Sequence, residues 1–322
     1  MENFNNIAAD IFKRYGLGIE TAERAGGWTN TVWLNGDVVL RLSTTEGNDR
    51  IRREVERSML LPSAVGYPEN IATGVQDGFE WSLSKRVPGQ CLSEVWGDLS
   101  WTDKATAVKQ IFEIMQAVHT VDVEKAGQIT LKRAWYSAFD RDETFSEFEG
   151  YAARGIFSAE QSKELREILE RFYAALDKAD FVLTHGDITT DNLLWHDGKV
   201  ISLLDFEWAA IAPRQLDLHS VVNLALVSYD EEQGRDLILF EDEGEEVQGY
   251  VKEMVSLFRP LLESQRDWDL FLGYNVLFRQ RFFEFWLGKP EGEIDSCDAY
   301  RKLQVLSNGS GGYLTPLLSI VN

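Results

Sequence analysis

Three dipeptides that favour tight hairpin turns constrain the fold of this chain more than any other feature. They are Asn35-Gly36, Asp77-Gly78 and Asp197-Gly198, each flanked by runs rich in β-branched and aromatic residues. Such pairs tolerate the positive φ angles of two-residue turns between antiparallel strands. The sequence therefore predicts two β-hairpins before residue 90 and a third that joins residues 192–195 to residues 200–205.

Helical patterns separate and follow these hairpins. The segment NDRIRREVERSMLL is rich in helix-forming residues and stops at Pro62, which cannot continue a helix. After residue 88, long segments repeat apolar residues at helical spacing, and one opens with Ser158 and Gln161 in capping-box positions. We therefore predict an α+β, bilobal chain, with a small antiparallel β lobe containing one helix in residues 1–88 and a larger, mainly helical lobe in residues 89–322.

Charge and composition argue against several classes of function. The formal net charge of −21 repels nucleic acid, whose affinity for proteins comes largely from lysine and arginine. The same charge attracts a small cation, although acidity for solubility is the alternative interpretation. Two cysteines are too few for a disulfide framework in a chain of 322 residues, so we expect a reducing, cytoplasmic setting. We expect neither a secretion signal nor membrane insertion, and the oligomeric state stays open.

The stretch LTHGDITTDNLLW, just before the third turn, carries Asp187 and Asn192. If the turn at Asp197-Gly198 contains two residues, Asn192 lies opposite Leu203 and shares a face with Asp205, because side chains alternate along a strand. One hard cation such as Mg²⁺ could bridge the amide and carboxylate oxygens. Asp187 is then a nearby acid that can act as a base or position a hydroxyl. Turn capping explains each residue alone, but the order of all three favours chemistry.

The segments HGDITTDN and LLDFEWA together resemble the catalytic segment and the metal aspartate of the aminoglycoside phosphotransferase and choline kinase family. The resemblance implies a protein-kinase-like fold over residues 20–290 and phosphoryl transfer from ATP or GTP. By this resemblance, Asp187 orients a substrate hydroxyl and accepts its proton, while Asn192 and Asp205 hold Mg²⁺ on the nucleotide phosphates.

A kinase-like fold also requires a loop over the phosphates and a cationic side chain beneath it. The segment AGGWTNTVW is the candidate loop, through Gly27, Trp28, Thr29 and Asn30. It lacks the GxGxxG pattern, and Gly-Gly is also an ordinary turn dipeptide. A plain turn therefore remains the alternative for this segment.

Arg41 stands where the resembled kinases usually have a lysine on the third strand. Arginine keeps the positive charge and adds a planar, bidentate fork, although an exposed arginine on an edge strand is the alternative. Glu54 is the preferred ion-pair partner, beside an apolar helix face that ends at Met59. Glu56 is the other candidate, and either glutamate could instead pair within its own helix.

The run WSLSKRVPG resembles the hinge that contacts adenine through its backbone, and Ser84 and Arg86 are the predicted contact residues. The end of a buried strand is the alternative, because composition alone carries this signal.

The four histidines are scattered without ligand spacing and make a poor zinc site. We expect His119 to be packed in its helix, His196 to be solvated and His185 to support the loop that carries Asp187. Asp217 matches an aspartate common in the resembled family, and we expect it to be structural rather than catalytic.

The acceptor is expected to be a small, cationic molecule with a hydroxyl group. The acidic clusters FDRDETFSEFE and FEDEGEE and the aromatic segment RDWDLFLGYNVLFRQRFFEFW suit such a molecule through charge attraction and cation–π contact. Core aromatics and solvated acids are the alternative. An aminoglycoside-like acceptor, and hence antibiotic resistance, is the first hypothesis. A choline-, homoserine- or sugar-kinase activity is second, and a nucleotide-binding regulator without turnover is the rival from another class.

Overall fold

A computed structural model describes residues 2–25, 30–128, 141–230, 235–239, 242, 244–287, 294, 297–307, 314 and 317. The first part of the chain forms an antiparallel sheet of five strands, which are β1 (Glu23–Ala25), β2 (Asn30–Asn35), β3 (Val38–Ser43), β4 (Asn70–Gln76) and β5 (Phe79–Lys85). Their order in the sheet is β1-β2-β3-β5-β4. Both predicted hairpins are confirmed, since β2 pairs with β3 and β4 pairs with β5.

Two helices accompany this sheet, α1 (Glu2–Arg14) and α2 (Arg50–Ser58). Ile11 and Phe12 of α1 are fully buried and belong to the same hydrophobic cluster as Leu40 of β3. The helix α2 ends at Ser58 rather than continuing to Pro62 as predicted. Met59, at the C-cap of this helix, is 73% exposed and is not part of a buried helix face.

The larger part of the chain is mainly helical. Its helices are α3 (Leu92–Val95), α4 (Trp101–Val118), α5 (Val123–Gln128), α6 (Arg141–Ala153), α7 (Ala159–Leu176), α8 (Gln215–Leu226), α9 (Glu245–Phe258), α10 (Gln265–Leu287) and α11 (Asp298–Leu306). The predicted capping box at the start of α7 is confirmed, because Ser158 and Gln161 exchange side-chain and backbone hydrogen bonds. Within the described ranges, no helix has both the length and the apolar character that a membrane crossing requires.

Short strands connect these helices, namely β6 (Gln90–Cys91), β7 (Phe181–Thr184), β8 (Leu193–His196), β9 (Lys199–Leu203), β10 (Ala210–Pro213), β11 (Val227–Asp230) and β12 (Arg235–Ile238). The strands β6, β8 and β9 form one small sheet, while β7 pairs with β10 and β11 with β12. The third predicted hairpin, β8-β9, is therefore present. Since β6 pairs with β8, the residues directly after Gly89 pair with a strand of the second half of the chain. The lobe boundary at residue 88 stays a prediction.

The buried residues that the structure describes form two hydrophobic clusters, one under the five-stranded sheet and a larger one among the helices. The predicted α+β, bilobal organisation is confirmed. The aromatic segment predicted from the sequence forms α10, and its first half belongs to the core, since Trp268 and Phe271 are buried. Phe282, in the second half, is 40% exposed. Most of this aromatic surface is therefore core, as the alternative interpretation held.

His219 on α8 is a fully buried histidine whose titration affects stability. Burial lowers its pKa from 6.5 to about 4, and the positive charge of Arg279 lowers it further, although the hydrogen bond between Nδ1 and the Leu216 carbonyl opposes the shift. Between pH 6.5 and pH 4 the unfolded chain therefore binds a proton that the folded chain does not, so stability falls as the pH decreases.

We expect the free energy of unfolding of the wild type to fall by about 2 kcal/mol more than that of His219→Asn between pH 7 and pH 5. Asparagine keeps a donor near the Leu216 carbonyl but does not titrate. Urea unfolding at the two pH values measures the difference. Parallel loss of stability in both proteins would show that His219 does not cause the acid sensitivity.

Candidate functional site

The register of the β8-β9 hairpin differs from the predicted one. Near the turn His196 pairs with Lys199 as expected, but Leu193 rather than Asn192 pairs with Leu203. A β-bulge at Ile201 causes this shift, because it inserts one unpaired residue into β9. The prediction that Asn192 lies opposite Leu203, with Asp205 on the same strand face, is therefore wrong.

The bulged strand packs against a segment that lies far away in sequence. A Cβ atom on Gly66 would lie only 1.9 Å from the carbonyl oxygen of Ile201. Gly66 also has a φ of 67°, a conformation that glycine adopts without strain. The close approach of these two backbones explains why glycine occupies this position.

Asp205 follows β9 and reaches the site through its own backbone conformation. Its φ and ψ are 62° and 69°, which is a left-handed conformation that few residues other than glycine adopt. Its Oδ1 is buried, accepts no hydrogen bond from the described residues and lies 3.6 Å from Nη2 of Arg41. Burial and the nearby charge of Glu54 raise the pKa of Asp205 to about 7, whereas Arg41 lowers it. This carboxylate oxygen therefore has an ion-pair contact with Arg41 but no hydrogen bond from the described residues.

The loop between β7 and β8 carries Asp187 and Asn192. The Nδ2 of Asn192 donates to the backbone oxygen of Asp187 at 3.0 Å and to its Oδ2 at 3.2 Å. This orientation leaves Oδ1 of Asn192 without a hydrogen bond from the described part of the chain. Burial is the main cause that raises the pKa of Asp187. The charge of Asp187 also contributes to the raised pKa of Asp205, so the two acids lie within electrostatic reach.

His185 supports this loop, as predicted. Its Nε2 lies 2.7 Å from the Leu204 carbonyl, and its Nδ1 accepts a hydrogen bond from the backbone amide of Asp187 at 3.1 Å. In this arrangement Nε2 is the donor and Nδ1 the acceptor of the ring. His185 therefore links the Asp187 loop to the residue that precedes Asp205. His196 is exposed, as expected.

Asp217 holds the backbone that precedes Asp187. Its carboxylate accepts the amide protons of His185 and Gly186 at 2.9 and 2.8 Å, and His119 Nε2 lies 2.9 Å away. Burial alone would raise the pKa of Asp217, but the hydrogen bonds, His119 first among them, lower it below its ordinary value. Both Asp217 and His119 are thus structural supports of the loop.

Asp217→Asn is expected to lower the free energy of unfolding by about 2–4 kcal/mol, because the new amide group cannot accept all of these buried donors. Urea unfolding monitored by circular dichroism measures the change. Asp191→Asn, at an exposed aspartate of the same region, is the matched control and should leave stability nearly unchanged. Equal stability of the two variants would contradict the structural role of Asp217.

Arg41 lies on β3, a central strand of the five-stranded sheet, and not on an edge strand. Its Nη1 is 2.8 Å from Oε1 of Glu54, the preferred partner from sequence, whereas Glu56 pairs with Arg52. Tyr67 donates a 2.7 Å hydrogen bond to the same oxygen of Glu54. Burial opposes ionisation of Glu54, but Arg41 and these hydrogen bonds lower its pKa. The pair therefore joins the sheet to α2 beside Asp205.

The hinge prediction for Ser84 and Arg86 is wrong as far as their backbone amides are concerned. The Arg86 amide donates to the Asp37 carbonyl at 2.7 Å. Hydrogen-bonded pairs alternate along an antiparallel ladder, so Ser84, opposite Val39, also uses its backbone groups within the sheet. In the described part of the chain, Val87 carries the first amide after β5 that makes no hydrogen bond.

Of the predicted phosphate loop, Asn30 is the first residue of β2 and pairs with Ser43. Gly27, Trp28 and Thr29 lie outside the described residues. The sequence did not identify Tyr67 as a site residue. Its hydroxyl group contacts Glu54, which lies thirteen residues earlier in the chain, and no local pattern marks such a contact.

The oxygen atoms at this site fit a divalent cation. Asp205 offers a buried carboxylate oxygen without a hydrogen bond, and Asn192 offers a free amide oxygen. No group of three or more His, Cys, Asp or Glu side chains with metal-binding geometry occurs among the described residues. Such a sparse set suits Mg²⁺, which keeps several waters and binds through one or two protein oxygens together with phosphates.

A family model agrees with this geometry. The model described as the phosphotransferase enzyme family, APH, matches residues 20–250, which is more than half of the chain. The fold and the site thus define a phosphotransferase with a kinase-like architecture. The chain belongs to the APH phosphotransferase enzyme family. No curated protein matches the chain at the level of sequence.

Solved structures of aminoglycoside phosphotransferases share the fold. The GDP complex of aminoglycoside 2'-phosphotransferase-IIIa is 16% identical, with a TM-score of 0.67 over 96% of this chain and 99% of that one. The GDP and kanamycin complex of APH(2")-IIIa gives 0.63 at 16% identity over 95% and 98%. A thermostable mutant of APH(4)-Ia with ADP and hygromycin B gives 0.59 at 14% identity over 94% and 98%. Similarity at these identities shows the common fold.

Proposed function

We propose that this protein transfers the terminal phosphoryl group of ATP or GTP to a hydroxyl of a small molecule in a Mg²⁺-dependent reaction. The observation that carries the proposal is the meeting of three groups. Asp205, whose buried oxygen accepts no hydrogen bond from the described residues, lies beside the Arg41–Glu54 ion pair and next to the loop of Asp187 and Asn192. This arrangement combines an acid for the acceptor, oxygens for a cation and a positive charge for phosphates.

Each side chain has a separate role in this proposal. Asp187 accepts the proton of the acceptor hydroxyl, and its raised pKa makes it a better base than an exposed aspartate. Asn192 keeps Asp187 in place through Nδ2 and presents Oδ1 to the cation. When bound to Asn192 and Asp205, Mg²⁺ would neutralise charge on the transferred phosphoryl group.

The nucleotide is proposed to lie beneath β2 and β3. Arg41 reaches the phosphates from β3 while Glu54 fixes its guanidinium group. Because the pair is intact, arginine in place of the usual lysine does not favour a regulator without turnover. Asn30 would contact the phosphates from β2, together with Gly27, Trp28 and Thr29. The free amide of Val87 replaces Ser84 and Arg86 as the proposed backbone contact of adenine or guanine.

The acceptor is proposed to be cationic, with an aminoglycoside-like molecule first. Carboxylates outnumber cations around the loop, since Asp191 lies close enough to Asp187 to raise its pKa, and Glu207 and Asp205 are also acidic. Such a surface attracts amines and raises their local concentration. Kanamycin and hygromycin B in complexes of structurally similar enzymes support the same class of acceptor.

The test is phosphate transfer from labelled ATP and GTP to a panel of acceptors that includes aminoglycosides, choline, homoserine and simple sugars. We expect Mg²⁺-dependent labelling, strongest with a polycationic acceptor. Transfer only to choline, homoserine or a sugar would replace the aminoglycoside hypothesis by a metabolic kinase. Nucleotide-dependent thermal stabilisation without transfer to any acceptor would favour a regulator, and absence of both would refute the proposal.

A further inference from the structure

Arg57 is a buried arginine that connects α2 to the turn carrying Asp205. Its side chain is among the largest that are fully buried. Nη1 donates to the carbonyl oxygens of Phe206 and Glu207 at 2.7 and 3.2 Å, across 149 and 150 positions of sequence. Burial, together with the charge of Arg53, lowers the pKa of Arg57 to about 10, so the side chain remains charged at neutral pH.

The guanidinium group of Arg57 contacts backbone carbonyl groups directly, while Glu54, Asp49 and Glu56 favour its charged form from a greater distance. No carboxylate of the described residues lies within 4.0 Å of its guanidinium nitrogens. A buried charge without a direct counter-ion is costly, and an apolar side chain of similar length would fill the same space at lower cost. Packing alone therefore does not account for an arginine here, whereas the two carbonyl contacts do.

The helix α2 also binds the backbone N–H group of Phe206, in addition to its carbonyl group. Glu54, one turn before Arg57, accepts the amide proton of Phe206 at 3.3 Å. The helix α2 thus binds the N–H group and the C=O group of the residue that directly follows Asp205. Asp205 itself has a left-handed conformation, which costs about 1–3 kcal/mol for a residue other than glycine unless its surroundings enforce it. The two contacts from α2 supply that constraint.

We propose that Arg57 is a positioning residue that fixes the backbone after Asp205, so that the carboxylate is already oriented before a cation and a nucleotide bind. The inference rests on the proposed function and deepens it, because it assigns the preorganisation of the cation site to a residue that touches neither cation nor substrate. The helix α2 then contacts this site twice. Glu54 pairs with Arg41, and Arg57 donates to the backbone of the turn after Asp205.

Arg53 provides a matched control. It lies one turn before Arg57 on α2 and is also buried, with 4% exposure. Its contacts are local, since Nη2 lies 3.1 Å from Asp49 Oδ1 and Nε donates to the Asp49 carbonyl at 3.3 Å. Arg57→Met and Arg53→Met therefore remove the same charge and a similar volume from the same helix, but only the first releases the turn.

The first readout is amide hydrogen exchange of the protein without ligands. We expect Arg57→Met to accelerate exchange of the amides of residues 206–209 relative to the wild type and to Arg53→Met. The second readout is the Mg²⁺ concentration that supports half-maximal transfer. It should rise about tenfold in Arg57→Met, corresponding to about 1.4 kcal/mol, with the KM of the acceptor unchanged. Arg57→Lys keeps the charge but has no planar fork, so we expect an intermediate effect and a folded protein.

Equal exchange at residues 206–209 in Arg57→Met and Arg53→Met would overturn the inference, as would a rise in acceptor KM without a change in Mg²⁺ requirement. If Arg57→Met does not fold, Arg57→Lys takes its place. Its amide exchange at residues 206–209 and its Mg²⁺ requirement are then interpreted in the same way. A wild type that transfers no phosphate refutes the proposed function instead, and the exchange measurement then judges the role of Arg57 independently.

Discussion

Asp187→Asn is expected to lower the rate of phosphoryl transfer by about 10²–10⁴-fold, because the amide keeps the shape of the side chain but cannot accept a proton. The fold of the loop should persist, since Asn192 Nδ2 also donates to the backbone oxygen of Asp187 at 3.0 Å. Nucleotide binding should therefore remain, and the loss should appear in kcat rather than in the KM of the nucleotide. Initial rates with labelled ATP, together with thermal shifts in ATP and Mg²⁺, separate the two quantities.

Asp191→Asn is the matched control for this experiment. Asp191 is an exposed aspartate of the same loop, four residues after Asp187, and its removal changes the local charge equally. We expect transfer by this variant to stay within a few-fold of the wild type. Full activity of Asp187→Asn, or an equal loss in both variants, would exclude proton acceptance by Asp187.

Asp205→Asn is expected to abolish Mg²⁺-dependent nucleotide binding while leaving the ligand-free protein as stable as the wild type or more stable. Oδ1 of this carboxylate is buried, and burial together with the charge of Glu54 raises the pKa to about 7 although Arg41 lowers it, so ionisation is unfavourable in the absence of a cation. Losing a metal ligand should weaken cation affinity by more than the roughly 10–100-fold that loss of an outer partner costs. Loss of nucleotide binding without loss of ligand-free stability distinguishes a metal-binding aspartate from a structural one.

Thermal unfolding with and without ATP and Mg²⁺ provides both measurements for Asp205→Asn. Asp217→Asn serves as the contrast, because its carboxylate holds backbone amides and its loss should destabilise the ligand-free protein. A nucleotide-dependent shift of wild-type size in Asp205→Asn would remove Asp205 from the proposed cation site.

The hairpins and the motif residues were predictable because their signals are local. A turn such as Asn35-Gly36 needs only the positive φ angles that its own residues tolerate. The preference for Glu54 followed from its place beside the apolar face of one helix. The order of Asp187, Asn192 and Asp205 along the chain likewise indicated the class of chemistry before any contact was known.

The register of the third hairpin was not predictable in the same way. Ile201 is an ordinary strand residue, and nothing in its neighbourhood marks a bulge. Its carbonyl approaches Gly66, which lies far away in sequence, and the extra residue changes which side chains share a face. The use of the Arg86 amide was not predictable for a related reason, since this amide donates to the Asp37 carbonyl in a neighbouring turn.

The sequence by itself determined the turns, the helical faces and, through its resemblance to a known family, the acids and the amide that are proposed to carry phosphoryl transfer. The tertiary structure decided which of those groups remain free and how they are oriented. Asp205 reaches the site through a left-handed backbone that α2 holds from 149 positions away, and Arg57 had no signal of its own. Local conformation depends on neighbouring residues, whereas the availability of a buried oxygen depends on every chain segment packed around it.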